Sequence, residues 1–244
     1  MDARPRRVLL TRPEPGLGRT SAILRARGFE PVALPLSEIV ARPAEVPDRD
    51  IVGYVATSAA AIAGAGQAID PLLPFFAVGS ATASAAAGIG CRDVRTGPGD
   101  AAGLAQVILR SDIGDKGSLL YLAGEPRKSD LEDTLATAGV ALRVITVYAA
   151  VAIEPSRDGL VETIGPGLGA CLFYSPATAE RFCAVVEKHG LEKEFGTVPM
   201  LGLSRQVIEP FLERAWVRDT IDSAPIPEEE SLLALLETIR NKAG

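Results

Sequence analysis

The sequence predicts an α/β protein with two parallel sheets, each covered by helices on both faces, and three observations carry that prediction. A strand, helix, strand plan occurs twice along the chain, a second and different plan also occurs twice, and an extended stretch follows each copy of the first. With 244 residues and 47% hydrophobic content, the chain has the length and the apolar surface for two domains of roughly 100 to 130 residues each.

The first plan opens on Val8-Leu9-Leu10-Thr11-Arg12-Pro13, runs through a helical stretch to Leu24-Arg25-Ala26-Arg27-Gly28, and ends in Glu30-Pro31-Val32-Ala33-Leu34-Pro35. Its second copy opens on Leu119-Leu120-Tyr121-Leu122-Ala123-Gly124-Glu125, runs to Leu135-Ala136-Thr137-Ala138-Gly139, and ends in Leu142-Arg143-Val144-Ile145-Thr146-Val147-Tyr148. Each copy reads as a buried strand, an amphipathic helix closed by a C′ glycine, and a second strand.

The second plan starts with the strand Val52 to Ala56 leading into Thr57-Ser58-Ala59-Ala60, then Phe75-Phe76-Ala77-Val78-Gly79-Ser80-Ala81-Thr82-Ala83, the strand Val94 to Thr96, and a helix from about Gly103 to Leu109. Its second copy has Ala170-Cys171-Leu172-Phe173-Tyr174 leading into Ser175-Pro176-Ala177-Thr178, then Val198 to Arg205, a strand from Val217 to Ile221, and a helix from about Glu229 to Ile239. Spacing alone admits a contiguous and an interleaved assembly of these units. The stretches Leu36 to Val40 and Val147 to Ala152 are extended, β-prone and free of helix signals. As two antiparallel linker strands, 37–41 and 147–151, they favour the interleaved assembly, with residues 1–36 and 152–244 in one discontinuous domain and 42–146 in the other.

Several function classes are disfavoured. A net charge of −6 gives no basic surface for nucleic acid. Every apolar run is interrupted by Arg, Asp, Gly or Pro before the roughly 18 residues a membrane span needs, and the basic opening Met1 to Arg7 precedes only a short strand, unlike a secretory signal. The three cysteines form no CxxC pair and the single His189 lies in a charged stretch, which argues against a metal site, a disulfide framework or a histidine base. The run Gly16-Leu17-Gly18-Arg19-Thr20 lacks the first glycine and the Lys-Ser/Thr ending of a phosphate loop. No cofactor is expected.

Four strand-to-helix junctions carry small or hydroxyl residues: Thr57-Ser58-Ala59, Gly79-Ser80-Ala81-Thr82, Ser175-Pro176-Ala177-Thr178 and Gly202-Leu203-Ser204. The first helical N–H groups at such a junction are unpaired and the helix dipole favours an anion there, at the sheet edge where open α/β sheets bind ligands. The same hydroxyls also suit plain helix N-caps. Their fourfold recurrence in a duplicated chain points to several anion-sized sockets.

At these residues the chain resembles the uroporphyrinogen-III synthase family along nearly its whole length. The carriers are Leu9-Leu10-Thr11-Arg12-Pro13, Gly28-Phe29-Glu30 with Leu34-Pro35-Leu36, Ala56-Thr57-Ser58, Ala77 to Ala83, Leu120 to Glu125, Val144 to Tyr148, Phe173-Tyr174-Ser175-Pro176 and Leu201-Gly202. The resemblance implies two flavodoxin-like domains joined by a two-stranded β linker, with the active site in the cleft, in a cytoplasmic monomer. It implies a cofactor-free hydro-lyase of heme and other tetrapyrrole biosynthesis, which closes hydroxymethylbilane, a chain of four pyrroles with eight carboxylate arms, while inverting the last ring through a spiro intermediate. Pyrrole nitrogen supplies the electronic push, so the protein's task is to fold the chain and assist departure of its hydroxyl.

By the same resemblance Tyr148 is the candidate catalytic residue, hydrogen-bonding or protonating the departing hydroxyl. Arg12, Arg127 and Lys128 follow the first strands of the two copies of the first plan, where cations meet carboxylates. Thr57, Ser58, Ser80, Thr82, Ser175 and Ser204 complete the expected substrate contacts. The chain departs from the family at Ser204-Arg205-Gln206, where two threonines and an alanine are usual, and at Ala59-Ala60-Ala61, which lacks the usual proline after the serine. The competing expectation is a non-catalytic or degenerate two-domain protein that binds an anionic small molecule in the same place.

Overall fold

The computed structural model describes residues 7–45, 50–66, 69–111, 113, 117–165 and 167–242, the side chains of 241 and 242 excepted. The expectation about the basic opening falls largely on residues 1–6, outside the described residues. In chain order the elements are β1 (Arg7–Leu10), α1 (Gly16–Ala26), β2 (Glu30–Ala33), β3 (Ser37–Ala41), β4 (Ile51–Ala56), α2 (Ala59–Ala65), β5 (Phe75–Ala77), α3 (Ser80–Gly88), β6 (Val94–Thr96), α4 (Ala101–Leu109) and β7 (Ser118–Glu125). There follow α5 (Asp130–Thr137), β8 (Leu142–Ala152), α6 (Arg157–Ile164), β9 (Leu168–Phe173), α7 (Pro176–His189), α8 (Glu192–Phe195), β10 (Met200–Gly202), α9 (Arg205–Leu212), β11 (Ile221–Ser223) and α10 (Glu229–Lys242). Among the described residues no helix is long and apolar enough to cross a membrane.

The chain divides into two compact units, residues 1–38 with 152–244, and residues 39–151. The first unit holds a five-stranded sheet in the order β11-β10-β9-β1-β2, paired in parallel throughout. One face of it, with Leu9, Cys171, Phe173 and Met200, packs on Phe182 and Cys183 of α7, Phe195 of α8, and Val207 and Phe211 of α9. The other face, with Val8, Leu10, Ala170, Leu172 and Leu201, packs on Leu17 and Leu24 of α1 and on Leu232, Leu233 and Leu236 of α10. Strands buried on both faces have no solvent side to mark with polar residues, which is why Val8 to Leu10 and Ala170 to Phe173 are unbroken apolar runs.

The second unit holds a six-stranded sheet in the order β3-β8-β7-β4-β5-β6, parallel from β8 to β6. Tyr54, Ala56, Phe75, Ala77, Leu120 and Leu122 face Ala61 and Ile62 of α2 and Ala86 of α3. Val55, Phe76, Leu119, Tyr121 and Ala123 face Leu104, Ala105 and Ile108 of α4 and Leu131 and Leu135 of α5.

The expected C′ glycines close α1 and α5 with a left-handed backbone, Gly28 at φ 78° and Gly139 at φ 77°, a conformation that a Cβ disfavours. One expected element is displaced. The strand placed at Val217 to Ile221 lies instead at Ile221–Ser223, with Ile221 opposite Met200. Before it the chain turns, the Val217 N–H donating to the Arg214 carbonyl at 3.1 Å and the Arg218 N–H to the Gly196 carbonyl at 2.7 Å. Val217 therefore reaches the core from a turn, and its apolar character serves that contact in place of a strand.

Candidate active-site pocket

Four of the expected residues meet in the second unit. Thr57 follows β4, Arg127 and Lys128 follow β7, and Tyr148 lies in β8, and all four line one pocket of about 230 Å³ with Ala101, Tyr121, Gly124, Pro126, Asp130 and Leu131. The pocket sits at the carboxyl ends of β4 and β7, where strands hand over to helix N-termini.

The placement of Tyr148 depends on an irregularity in its strand. Ala123 pairs with Thr146 but Gly124 pairs with Tyr148, so Val147 is an extra residue in β8. Strict alternation sends successive side chains to opposite faces. The bulge instead lets Val147 and Tyr148 both reach the core cluster on the α2 and α3 side, the kind of re-aiming that bulges provide beside functional sites. Two glycines accommodate it. A Cβ on Gly124 would run into the Tyr148 ring and hydroxyl, and a Cβ on Gly64 of α2 would run into the Val147 carbonyl, which already accepts the Arg42 N–H at 2.8 Å. Backbone held by a hydrogen bond yields less than a side-chain tip, so Gly64→Ala is expected to cost about 1–3 kcal/mol of stability, measurable by urea unfolding; an unchanged midpoint would show that α2 rides freely over the bulge.

Around Tyr148 the polar groups are partly committed. Arg127 donates from Nε to Glu132 Oε1 at 2.7 Å, and this bond raises its pKa further above that of a free guanidinium, leaving its other N–H donors for a ligand. Lys128 is exposed. Thr57 Oγ1 lies 2.9 Å from the Tyr121 hydroxyl, and burial pushes the Tyr121 phenol up, the Thr57 bond opposing it. Tyr121 was not among the expected site residues. Its signal was present: a phenol in the apolar run Leu119 to Ala123 must find a partner once buried.

The remaining sockets divide by chemistry. Ser58 caps α2, accepting the Ala60 N–H at 3.2 Å. Ser175 caps α7, accepting the Thr178 N–H at 3.2 Å and lying 2.8 Å from Thr178 Oγ1. Both oxygens thus serve their own helices, though capping uses a lone pair and leaves the Ser58 proton to donate. Ser204 holds the N-cap position of α9 without a side-chain cap bond. At α3 the cap is Gly79, Ser80 is exposed and Thr82 is buried.

Arg12, in the first unit, is tied into the fold. Its Nη1 donates to Glu229 Oε1 at 2.8 Å and to Thr20 Oγ1 at 3.1 Å, and its guanidinium carbon stands 4.0 Å from the centre of the Tyr174 ring. Burial and the Glu229 charge push the Tyr174 phenol up to about 12. The guanidinium lies over Gly16 at the start of α1, where a Cβ would collide with it. Glu229, separated from Arg12 by 217 positions, is a partner that no local pattern points to.

A family model described as uroporphyrinogen-III synthase HemD matches residues 18–234. Among solved structures, a uroporphyrinogen-III synthetase from Helicobacter pylori is 15% identical, with a TM-score of 0.67, and the match covers 96% of this chain and 99% of that one. A mutant uroporphyrinogen III synthase from Thermus thermophilus is 18% identical, with a TM-score of 0.58, and the match covers 97% and 99%. A search of curated proteins finds no match.

Proposed function

The chain belongs to the uroporphyrinogen-III synthase family, and from that premise we propose that it cyclises hydroxymethylbilane to uroporphyrinogen III without a cofactor, as a hydro-lyase. The observation that carries the reading is the second-unit pocket, which gathers the Tyr148 and Thr57 hydroxyls with Arg127 and Lys128. At about 230 Å³ it is smaller than the roughly 300–1,000 Å³ that enclose a drug-sized ligand. It suits the end of the bilane that reacts, a pyrrole with its hydroxymethyl group and carboxylate arms.

In the proposed reaction Tyr148 donates its proton to the hydroxyl as the carbon–oxygen bond breaks, and water departs with the bonding electrons. The adjacent pyrrole nitrogen fills the deficit as an azafulvene cation. The far pyrrole attacks through its substituted carbon to form the spiro intermediate, whose fragmentation and recombination invert ring D. The proton lost on rearomatisation returns to the Tyr148 phenolate, so the net change is loss of one water. Arg127 and Lys128 neutralise carboxylate arms, and the hydroxyls at Ser58, Ser80 and Thr82 are the further contacts proposed within this unit.

The domain division 1–36 with 152–244 against 42–146, the antiparallel course of the linker strands 37–41 and 147–151, a monomeric state and a cytoplasmic location belong to the same proposal. Supporting the linker, β3 neighbours β8 in the sheet and the Arg42 N–H bonds to Val147. The test supplies purified protein with freshly generated hydroxymethylbilane and separates the oxidised porphyrin isomers by chromatography. Type III product well above the spontaneous type I background is expected; type I alone from folded protein would overturn the reading.

A further inference from the structure

We propose that Tyr121 is a positioning residue that fixes the direction of the Thr57 hydroxyl, so that Thr57 presents its proton to a substrate oxygen in the pocket; the inference rests on the pocket being the reaction site. Tyr121 occupies the middle of β7, opposite Val55 of β4, in the cluster formed with Phe76, Leu104, Leu131 and Leu135. Only 3% of it is exposed. Packing alone at such a position would be met by leucine or phenylalanine, and a buried hydroxyl is unfavourable unless it is paired. The pair it makes is with Thr57, at 2.9 Å.

The direction of that hydrogen bond follows from the two groups. A phenol is a stronger donor than an aliphatic alcohol and a weaker acceptor. Tyr121 also stays protonated, because burial raises its pKa and outweighs the Thr57 bond, which lowers it. Tyr121 therefore donates to Thr57 Oγ1. A threonine hydroxyl has one proton and two lone pairs; with a lone pair engaged from the strand side, its proton is free to point into the pocket that Thr57 lines. A hydroxyl that accepts one hydrogen bond donates the next more strongly. The pocket then offers directed donors at Thr57 and Tyr148 together with the cations of Arg127 and Lys128, a set matched to carboxylate or hydroxyl oxygen and not to a cationic or purely apolar group.

The experiment is a double-mutant cycle of Tyr121→Phe and Thr57→Val, read in two ways: turnover of hydroxymethylbilane, and affinity for uroporphyrin III by fluorescence titration. Tyr121→Phe keeps the ring and its packing, so a urea midpoint close to that of the parent accompanies it. Its kcat/KM is expected to fall about 3- to 10-fold, the effect of one hydrogen bond, with weaker uroporphyrin binding. In the Thr57→Val background the same substitution is expected to change neither quantity, since its effect passes through Thr57. Equal losses in both backgrounds, or Tyr121→Phe kinetics and binding like the parent's, overturn the inference. Should the parent make no type III isomer yet bind uroporphyrin III with the Tyr121–Thr57 coupling intact, the proposed activity fails and the positioning role stands.

Discussion

Phe182→Ala is expected to destabilise the first unit by about 3–5 kcal/mol, the range for truncating a fully buried phenylalanine. Phe182 of α7 has no exposed surface and lies at the centre of an aromatic cluster. Its ring is 5.1 Å from Phe173 of β9 at 63° and 5.0 Å from Phe195 of α8 at 82°, with Phe211 of α9 at 6.3 Å. These edge-to-face contacts add to the area buried, and three elements from different parts of the chain meet on this one side chain, so the surroundings cannot collapse into the vacancy without giving up their own contacts. Because the chain has two units, unfolding need not be a single step, and the probe should report on the first. Trp216, the only tryptophan, packs against the same cluster and donates from its indole to Glu187 of α7 at 3.0 Å. Urea unfolding followed by its fluorescence therefore reads the expected loss, and Phe182→Leu, which keeps most of the volume, is expected to cost about 1–1.5 kcal/mol. A loss below 1 kcal/mol for alanine would show that the helices of this face are held independently of one another.

What was legible in the sequence was local. Duplicated strand and helix runs, C′ glycines such as Gly28 and Gly139, and hydroxyls at strand-to-helix junctions are signals contained within a few residues of one another. What was not legible depends on pairing across the chain. The extra residue Val147 is an ordinary β-branched residue in a β-prone run, and nothing in the run distinguishes it from its neighbours until Gly124 pairs with Tyr148. The ion pair of Arg12 with Glu229 closes a separation of 217 positions. The turn at Val217 depends on a carbonyl at Gly196. The same division holds at the site: the expected Thr57, Arg127, Lys128 and Tyr148 come together in one pocket, whereas Tyr121 enters through a hydrogen bond to Thr57, just past the neighbouring strand, that the apolar run concealed.

If Tyr148 donates the proton that lets the hydroxyl depart, Tyr148→Phe should lower kcat for type III formation by about 10²–10⁴-fold, the usual contribution of a positioned general acid. The ring remains to pack against its cluster and cover Gly124, so substrate binding and KM should stay within about threefold of the parent, the signature of an interaction made only as the bond breaks. Spontaneous closure gives type I product in either case, so the rate must be taken from the type III isomer after quenching and oxidation. Gly124→Ala is the companion variant, because its new methyl group meets the far end of the Tyr148 side chain and a side-chain tip can swing aside. It moves the hydroxyl without deleting it, and its kcat should fall by a similar order with the urea midpoint nearly kept. Should Tyr148→Phe turn over at half the parent rate or better, the hydroxyl would leave without help from this phenol, and the pocket's contribution would reduce to holding the bilane in a near-cyclic pose by its hydroxyls and cations.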